Sequence, residues 1–162
     1  MGISVVTGAN RGIGLEFARQ LKARGASVVA VCRKSSPELD ALGVRIESGI
    51  DVTEPAAGSR LAERLAVDDI DLLIQNAGML APDSLDTVDL VKLRAQFELN
   101  AVAPLMLTRA LAARLHKGSK VALITSRMGS IADNGSGGYY GYRMSPPGRP
   151  KANTAVRSTE VA

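Results

Sequence analysis

Five short runs of aliphatic and β-branched residues, Ile3 to Thr7, Ser27 to Cys32, Val44 to Ile46, Ile70 to Gln75 and Lys120 to Thr125, alternate with longer segments of helical spacing. Nearly continuous apolar runs suit strands buried on both faces, and the intervening helices supply the cover. The alternation therefore predicts a doubly wound α/β domain built on a five-stranded parallel sheet. The helical segments are Ile13 to Arg24, Arg60 to Ala66 and Leu90 to Leu115, the last expected to break near Asn100 and Pro104. In the first of them Ile13, Phe17, Ala18, Leu21 and Lys22 recur at three- and four-residue spacing and make one face largely apolar. His116-Lys117-Gly118 reads as a C-terminal cap of the long segment, with its cations at the negative end of the helix dipole.

Bulk properties narrow the function classes. A chain of 162 residues is long enough for one domain with a real core. The excess of 20 Lys and Arg over 16 Asp and Glu is scattered, and no stretch interleaves basic residues with aromatics, so no nucleic-acid partner is expected. No apolar run approaches the roughly 18 residues of a membrane span, and Met1 runs into the first strand without a signal-like segment. Cys32 stands alone and forms no internal disulfide. A cytoplasmic protein without a membrane partner, and without a bound metal, is the expectation.

The first strand ends in Thr7-Gly8-Ala9-Asn10-Arg11-Gly12-Ile13-Gly14 and passes directly into the first helix. Gly8 permits a tight turn, Gly12 lets backbone approach a phosphate, and Gly14 allows the helix to lie near the sheet. Free amides at the helix start and the positive dipole end then suit a pyrophosphate. A glycine-rich turn of any α/β protein would read the same way taken alone, but this one follows the first strand and opens the first helix. The second strand ends in Cys32-Arg33-Lys34 with no acid closer than Glu38 and Asp40. An acid there would bond both ribose hydroxyls and repel a 2′-phosphate, whereas Arg33, with Arg11 on the same side, can pair with that phosphate. NADP(H) is expected over NAD(H), the other reading being that Arg33 and Lys34 are solvated surface cations.

The TGxxxGxG spacing resembles that of the short-chain dehydrogenase/reductase family, and further segments agree in order and placement. Asp51-Val52 resembles the family's adenine contact, and Asn76-Ala77-Gly78 resembles its NNAG segment, with Gln75 in place of the first Asn. Asn100 matches the Asn of the family's proton relay, and Ser126 matches the catalytic Ser. Singly, Asp51 reads as a turn residue, Asn100 as a helix-bending residue and Ser126 as a strand-end cap. The resemblance implies a Rossmann-type domain whose cofactor contacts are Gly8, Asn10, Arg11, Gly12, Ile13, Gly14, Arg33, Asp51, Val52, Asn76, Ala77 and Gly78.

The stretch from Thr125 to Ser130, followed by Gly138-Tyr139-Tyr140-Gly141-Tyr142-Arg143-Met144-Ser145, resembles the C-factor-like branch, which also holds carbonyl reductases. In that branch YRMS is followed at once by Lys, and residues four apart share a helix face. The resemblance makes Tyr142 the catalytic Tyr, with Ser126 and Asn100, acting on a small carbonyl or alcohol substrate. Position 146 is instead Pro, and Lys151 follows only after Pro146-Pro147-Gly148-Arg149-Pro150, which cannot continue a helix. Residues 1–145 are thus expected to form the NADP-binding part of the domain and 146–162 a disrupted catalytic-helix region and tail. Lys151 reads either as the displaced catalytic Lys or as a solvated surface residue. The expected activity is an NADP(H)-dependent oxidoreductase, the alternative being a catalytically impaired, C-factor-like nucleotide-binding or signalling protein. The family fold has two further strands and a proline-glycine loop, so the fifth strand is expected to stand as an unpaired edge that invites either association, as in a homo-oligomer, or instability.

Overall fold

The computed structural model describes residues 2–66, 68–130, 135 and 137–145. Five parallel strands form one sheet: β1 (Ile3–Thr7), β2 (Ser27–Val31), β3 (Arg45–Glu47), β4 (Ile70–Gln75) and β5 (Leu115–Leu123), in the spatial order β3-β2-β1-β4-β5. The helices are α1 (Gly12–Ala23), α2 (Pro37–Asp40), α3 (Ala57–Arg64), α4 (Leu90–Phe97), α5 (Ala103–Ala110) and α6 (Tyr140–Met144). The expected doubly wound fold is what forms, with β5 at the sheet edge among the described residues.

Alternation along the central strands explains the two covered faces. Val5, Val29, Val31 and Leu73 point to one side and pack with Leu61 of α3 and Leu107 of α5. Val6, Val28, Ala30 and Ile74 point to the other and pack with Leu15 and Ala18 of α1 and Leu39 of α2. Because successive strand side chains alternate, both faces must be apolar for the sheet to be buried twice. The chain runs outward from β1 to β2 and β3, then returns to place β4 on the other side of β1. That reversal opens a crevice beyond the C-terminal ends of β1 and β4, where ligands of open α/β sheets bind.

The long helical segment is interrupted as expected, but by a π turn. Asp89 caps α4 by accepting the Val91 and Lys92 amides at 2.8 and 3.0 Å. After α4 the chain widens into a π turn over Glu98–Val102, with Asn100 buried inside it, before α5 begins. Such a turn marks functional positions more often than chance, because it re-aims a side chain without ending the helix.

The reading of His116-Lys117-Gly118 as a helix cap is wrong. α5 ends at Ala110, a 3₁₀ turn covers Ala112–Arg114, and β5 starts at Leu115. Leu115 pairs with Ile70, and the next paired positions are Leu72 and Lys120, so residues 116–119 bulge out of the ladder. Gly118 takes φ +102, and Ser119 Oγ accepts the His116 amide at 2.8 Å and donates to the Ile70 carbonyl at 2.6 Å.

His116 Nε2 lies 2.8 Å from Asp71 Oδ1 on β4, and that bond raises the imidazole above its ordinary value near 6.5. A raised folded value stabilises the fold fully below the unfolded value, and the contribution disappears as pH rises through the folded one. The wild-type melting temperature should therefore fall slightly more between pH 6 and pH 8.5 than that of His116→Asn. Parallel curves for the two proteins would contradict it.

Candidate functional site

The crevice at the ends of β1 and β4 opens on the glycine turn. Gly8 and Gly12 both take the left-handed backbone, at φ +64 and +55. A Cβ on Gly8 would lie 2.9 Å from the Ala77 Cα, and one on Gly14 would collide with the Gly8 carbonyl while standing 2.5 Å from Asn76 Nδ2. At Gly12 a Cβ would meet nothing within 4 Å, so space is kept open above the helix start. α1 has no side-chain cap bond at Arg11 and no acid in its first turn. Its first amides thus face the crevice with the positive end of the dipole behind them.

Thr7 and Asn76 weld the turn to the segment after β4. The buried Thr7 Oγ1 accepts the amides of Asn76 and Ala77, each at 3.0 Å, while Asn76 Nδ2 donates to the Thr7 carbonyl at 3.0 Å and the Gly8 carbonyl at 3.3 Å. Thr7 belongs to the site's framework although the sequence reading placed no role on it.

A cleft of about 990 Å³ runs from this turn along the ends of β2 and β3, and Asn10, Arg11, Ile13, Arg33, Lys34 and Asp51 line it. Gly8, Gly12, Val52 and the Asn76-Ala77-Gly78 segment also face it, and Gly14 stands behind it as the buried spacer between turn and helix. Asp51 is held by Thr53, whose amide and hydroxyl donate to its Oδ1 at 3.0 and 2.8 Å. Its Oδ2 stands 3.8 Å from Arg33 Nη1. Partial burial pushes the Asp51 carboxyl up, but the Thr53 bonds and the Arg33 charge outweigh it and hold it below its ordinary value. The Arg33 side chain is 74% exposed, so this long ion pair contributes little and leaves the guanidinium available to an anion. Cys32 is buried at the cleft floor, where burial raises its thiol and keeps it protonated.

A second cleft, about 500 Å³, adjoins the first and shares with it Ile13, Asn76, Ala77, Gly78 and Met79. Ser126, Tyr142 and Asn100 all line it. Ser126 follows β5 and caps a 3₁₀ turn over Arg127–Gly129, its hydroxyl accepting the Met128 amide at 3.2 Å. Tyr142 lies on α6, whose first amides are taken by the loop after β4. The Asn100 amide is committed on both sides. Its Oδ1 accepts from the Met79 amide, and its Nδ2 donates to the Met79 carbonyl and to Ser145 Oγ, all at 2.9 Å.

Several tertiary partners carry no sequence signal of their own. Gln75, a departure from the resembled NNAG pattern, is buried and donates to the Pro104 carbonyl and Thr108 Oγ1, both at 3.3 Å, tying α5 to β4. Gln96 is buried and accepts the Ala81 amide at 2.9 Å, fixing the loop that follows Gly78. Pro146 and Lys151 lie outside the described residues. Among the described residues no cluster of His, Cys, Asp or Glu could hold a metal, and no helix is long and apolar enough to cross a membrane.

The glycine cradle, the uncapped helix start and the neighbouring cations fit an adenine dinucleotide phosphate in shape and charge. With the second cleft, they lie beyond the C-terminal ends of the strands, where open α/β sheets bind their ligands. The family model for short chain dehydrogenase matches residues 3–141, and the chain belongs to that family. It is 38% identical over 147 residues to the 1-hydroxy-2-glutathionyl-2-methyl-3-butene dehydrogenase of Rhodococcus sp. (strain AD45), covering 90% of this chain and 65% of that protein. It is 41% identical over 100 residues to the C-signal of Myxococcus xanthus, covering 60% of this chain and 58% of that protein. Among solved structures, a carbonyl reductase from Pseudomonas aeruginosa PAO1 in complex with NADP superposes with a TM-score of 0.81 at 36% identity, over 90% of this chain and 70% of that one. An NADPH-bound carbonyl reductase from chicken fatty liver superposes with a TM-score of 0.76 at 30% identity, over 90% and 68%. The chain thus spans less than two thirds of the length of these curated relatives.

Proposed function

We propose that this chain binds NADP(H) and interconverts a small carbonyl compound and its alcohol. The observation that carries the reading is the junction of the two clefts. A phosphate cradle with Arg11, Arg33 and Lys34 opens through a shared wall at Ile13 and residues 76–79 into the cleft that holds Ser126 and Tyr142. The NADP of the solved relatives supports the choice of coenzyme, and the end of β2 at Cys32-Arg33-Lys34, with no acid in sequence before Glu38, agrees with it.

The chain's own residues divide the work. The turn and α1 hold the diphosphate through backbone amides, and Arg33 pairs with the 2′-phosphate. When bound, NADPH supplies the hydride. Ser126 hydrogen-bonds the carbonyl oxygen and Tyr142 delivers a proton to it from its phenol. Asn100 orients the segment around Met79 and Ser145 through its two-sided amide contacts. Pro146 stands where the resembled branch has Lys, so the phenol works without that ammonium beside it in sequence. A signalling role without turnover, the other expectation, is not what the dehydrogenase and reductase relatives favour.

Fluorescence titration of the folded chain with NADPH and NADH tests the reading. NADPH should bind saturably and more tightly, and Arg33→Ala should narrow the preference about tenfold, at the lower end for a bond to a charged group because Arg33 is largely exposed. Absence of saturable binding by either coenzyme would remove the proposal.

A further inference from the structure

The helix that carries Tyr142 has little of its own to start it. α6 spans five residues, and its N-cap residue Tyr139 sits in the left-handed region at φ 54 with no side-chain cap bond. The missing acceptors come from Asp83, on the loop after β4. Its carbonyl accepts the Tyr139 amide at 2.9 Å, Oδ1 accepts the Tyr140 amide, and Oδ2 accepts the Gly141 amide at 3.0 Å. An anion at a helix start also suits the dipole. The approach is close enough that a Cβ on Gly141 would lie 3.1 Å from Asp83 Oδ2 and collide with the Gln96 side-chain amide. At the other end Ser145 is wholly buried, and its hydroxyl accepts from Asn100 Nδ2 at 2.9 Å while donating to the Tyr142 carbonyl at 3.0 Å.

We propose that Asp83 and Ser145 are positioning residues that clamp the two ends of α6 and so aim the Tyr142 phenol into the cleft it shares with Ser126. The inference rests on the role given to Tyr142 above, and its physical content is geometric. Misplacing a proton donor by about 1 Å can cost roughly 10²-fold in rate, so a short helix without internal caps needs outside acceptors. Asp83 fixes where the helix begins, and Ser145 fixes the carbonyl of Tyr142 itself.

The test uses the full chain with its three tyrosines labelled as 3-fluorotyrosine, the Tyr142 resonance being assigned by Tyr142→Phe. Asp83→Ala should shift and broaden that resonance. It should also lower kcat for NADPH-dependent reduction of benzaldehyde about tenfold while leaving the Kd for NADPH within about twofold, since the coenzyme cleft is untouched. Asp83→Asn, which keeps one of the two acceptor oxygens, should recover part of both effects. Ser145→Ala, a smaller change, should move the same resonance and carries the test if Asp83→Ala does not fold. An unmoved Tyr142 resonance in folded Asp83→Ala or Ser145→Ala overturns the clamp. Failure of the wild-type chain to bind NADPH overturns the functional reading instead, and the resonance still decides the clamp.

Discussion

Deleting residues 146–150 is expected to raise the rate of carbonyl reduction about 10²- to 10⁴-fold, the range that positioned acid-base assistance contributes. The deletion joins Ser145 directly to Lys151, so the chain reads Tyr142-Arg143-Met144-Ser145-Lys151 and places an ammonium four residues beyond the phenol. Residues four apart on a helix lie on one face a turn apart, which puts the ammonium beside Tyr142. A cation there stabilises the negative charge left on the phenol oxygen as its proton is given up. The start of the required helix exists, since α6 spans Tyr140–Met144 and Ser145 is anchored to Asn100. Pro146→Lys alone should give a far smaller gain, because Pro147 still lacks the amide a continuing helix needs. Single-turnover oxidation of NADPH with a panel of aldehydes and ketones measures the change. A folded deletion variant that binds NADPH yet turns over no faster than the parent would sink the idea.

How far the sequence discloses this molecule follows from where burial leaves a periodic trace. β1 and β4 are predicted with the bounds that form, because residues such as Val5 and Val6, or Leu73 and Ile74, are buried on opposite faces of one sheet. β5 is missed at its start for a physical reason. Leu107, Leu111 and Leu115 are spaced by four and enter one core cluster, so a helical period runs on in the sequence after the backbone has become a strand. The polar bulge at residues 116–119 then hides the continuity between Leu115 and Lys120. The glycine turn is legible because its spacing is set by local backbone demands, whereas Asn100 is picked out only by its match to the resembled family, since Arg94, Gln96 and Glu98 are polar neighbours in the same segment. Asp83 and Gln96 leave no such trace. Each acts through a contact with a segment distant in the chain, Asp83 on the amides of α6 and Gln96 on the amide of Ala81. The glycine-turn residues and Arg33 that line the first cleft are thus legible in sequence, whereas Thr53, Ala95, Glu98 and Leu99 beside them, and the contacts that hold α6 in place, come only from tertiary packing.

Gly14→Ala should weaken NADPH binding about 100-fold, close to 2.8 kcal/mol, and lower the melting temperature as well. The added methyl would collide with the Gly8 carbonyl and stand 2.5 Å from Asn76 Nδ2. Neither neighbour can retreat easily. Gly8 already turns at φ +64 with only 2.9 Å between a hypothetical Cβ and Ala77, and Asn76 Nδ2 is bonded to the carbonyls of Thr7 and Gly8. The helix must therefore move outward, at the cost of about 1–3 kcal/mol typical of overpacking, and its first amides move away from the diphosphate with it. Gly12→Ala provides the contrast. Nothing lies within 4 Å of a Cβ there, so the fold bears only the left-handed backbone strain of φ +55, about 1–2 kcal/mol, while the methyl occupies the space a phosphate needs. Thermal melts and NADPH titrations of the two variants together separate packing from ligand clearance. Gly14→Ala should lose melting temperature and affinity together, whereas Gly12→Ala should lose affinity with the smaller thermal shift. If Gly14→Ala instead bound NADPH within twofold of the parent, the close approach of α1 to the sheet would not be what aims its amides.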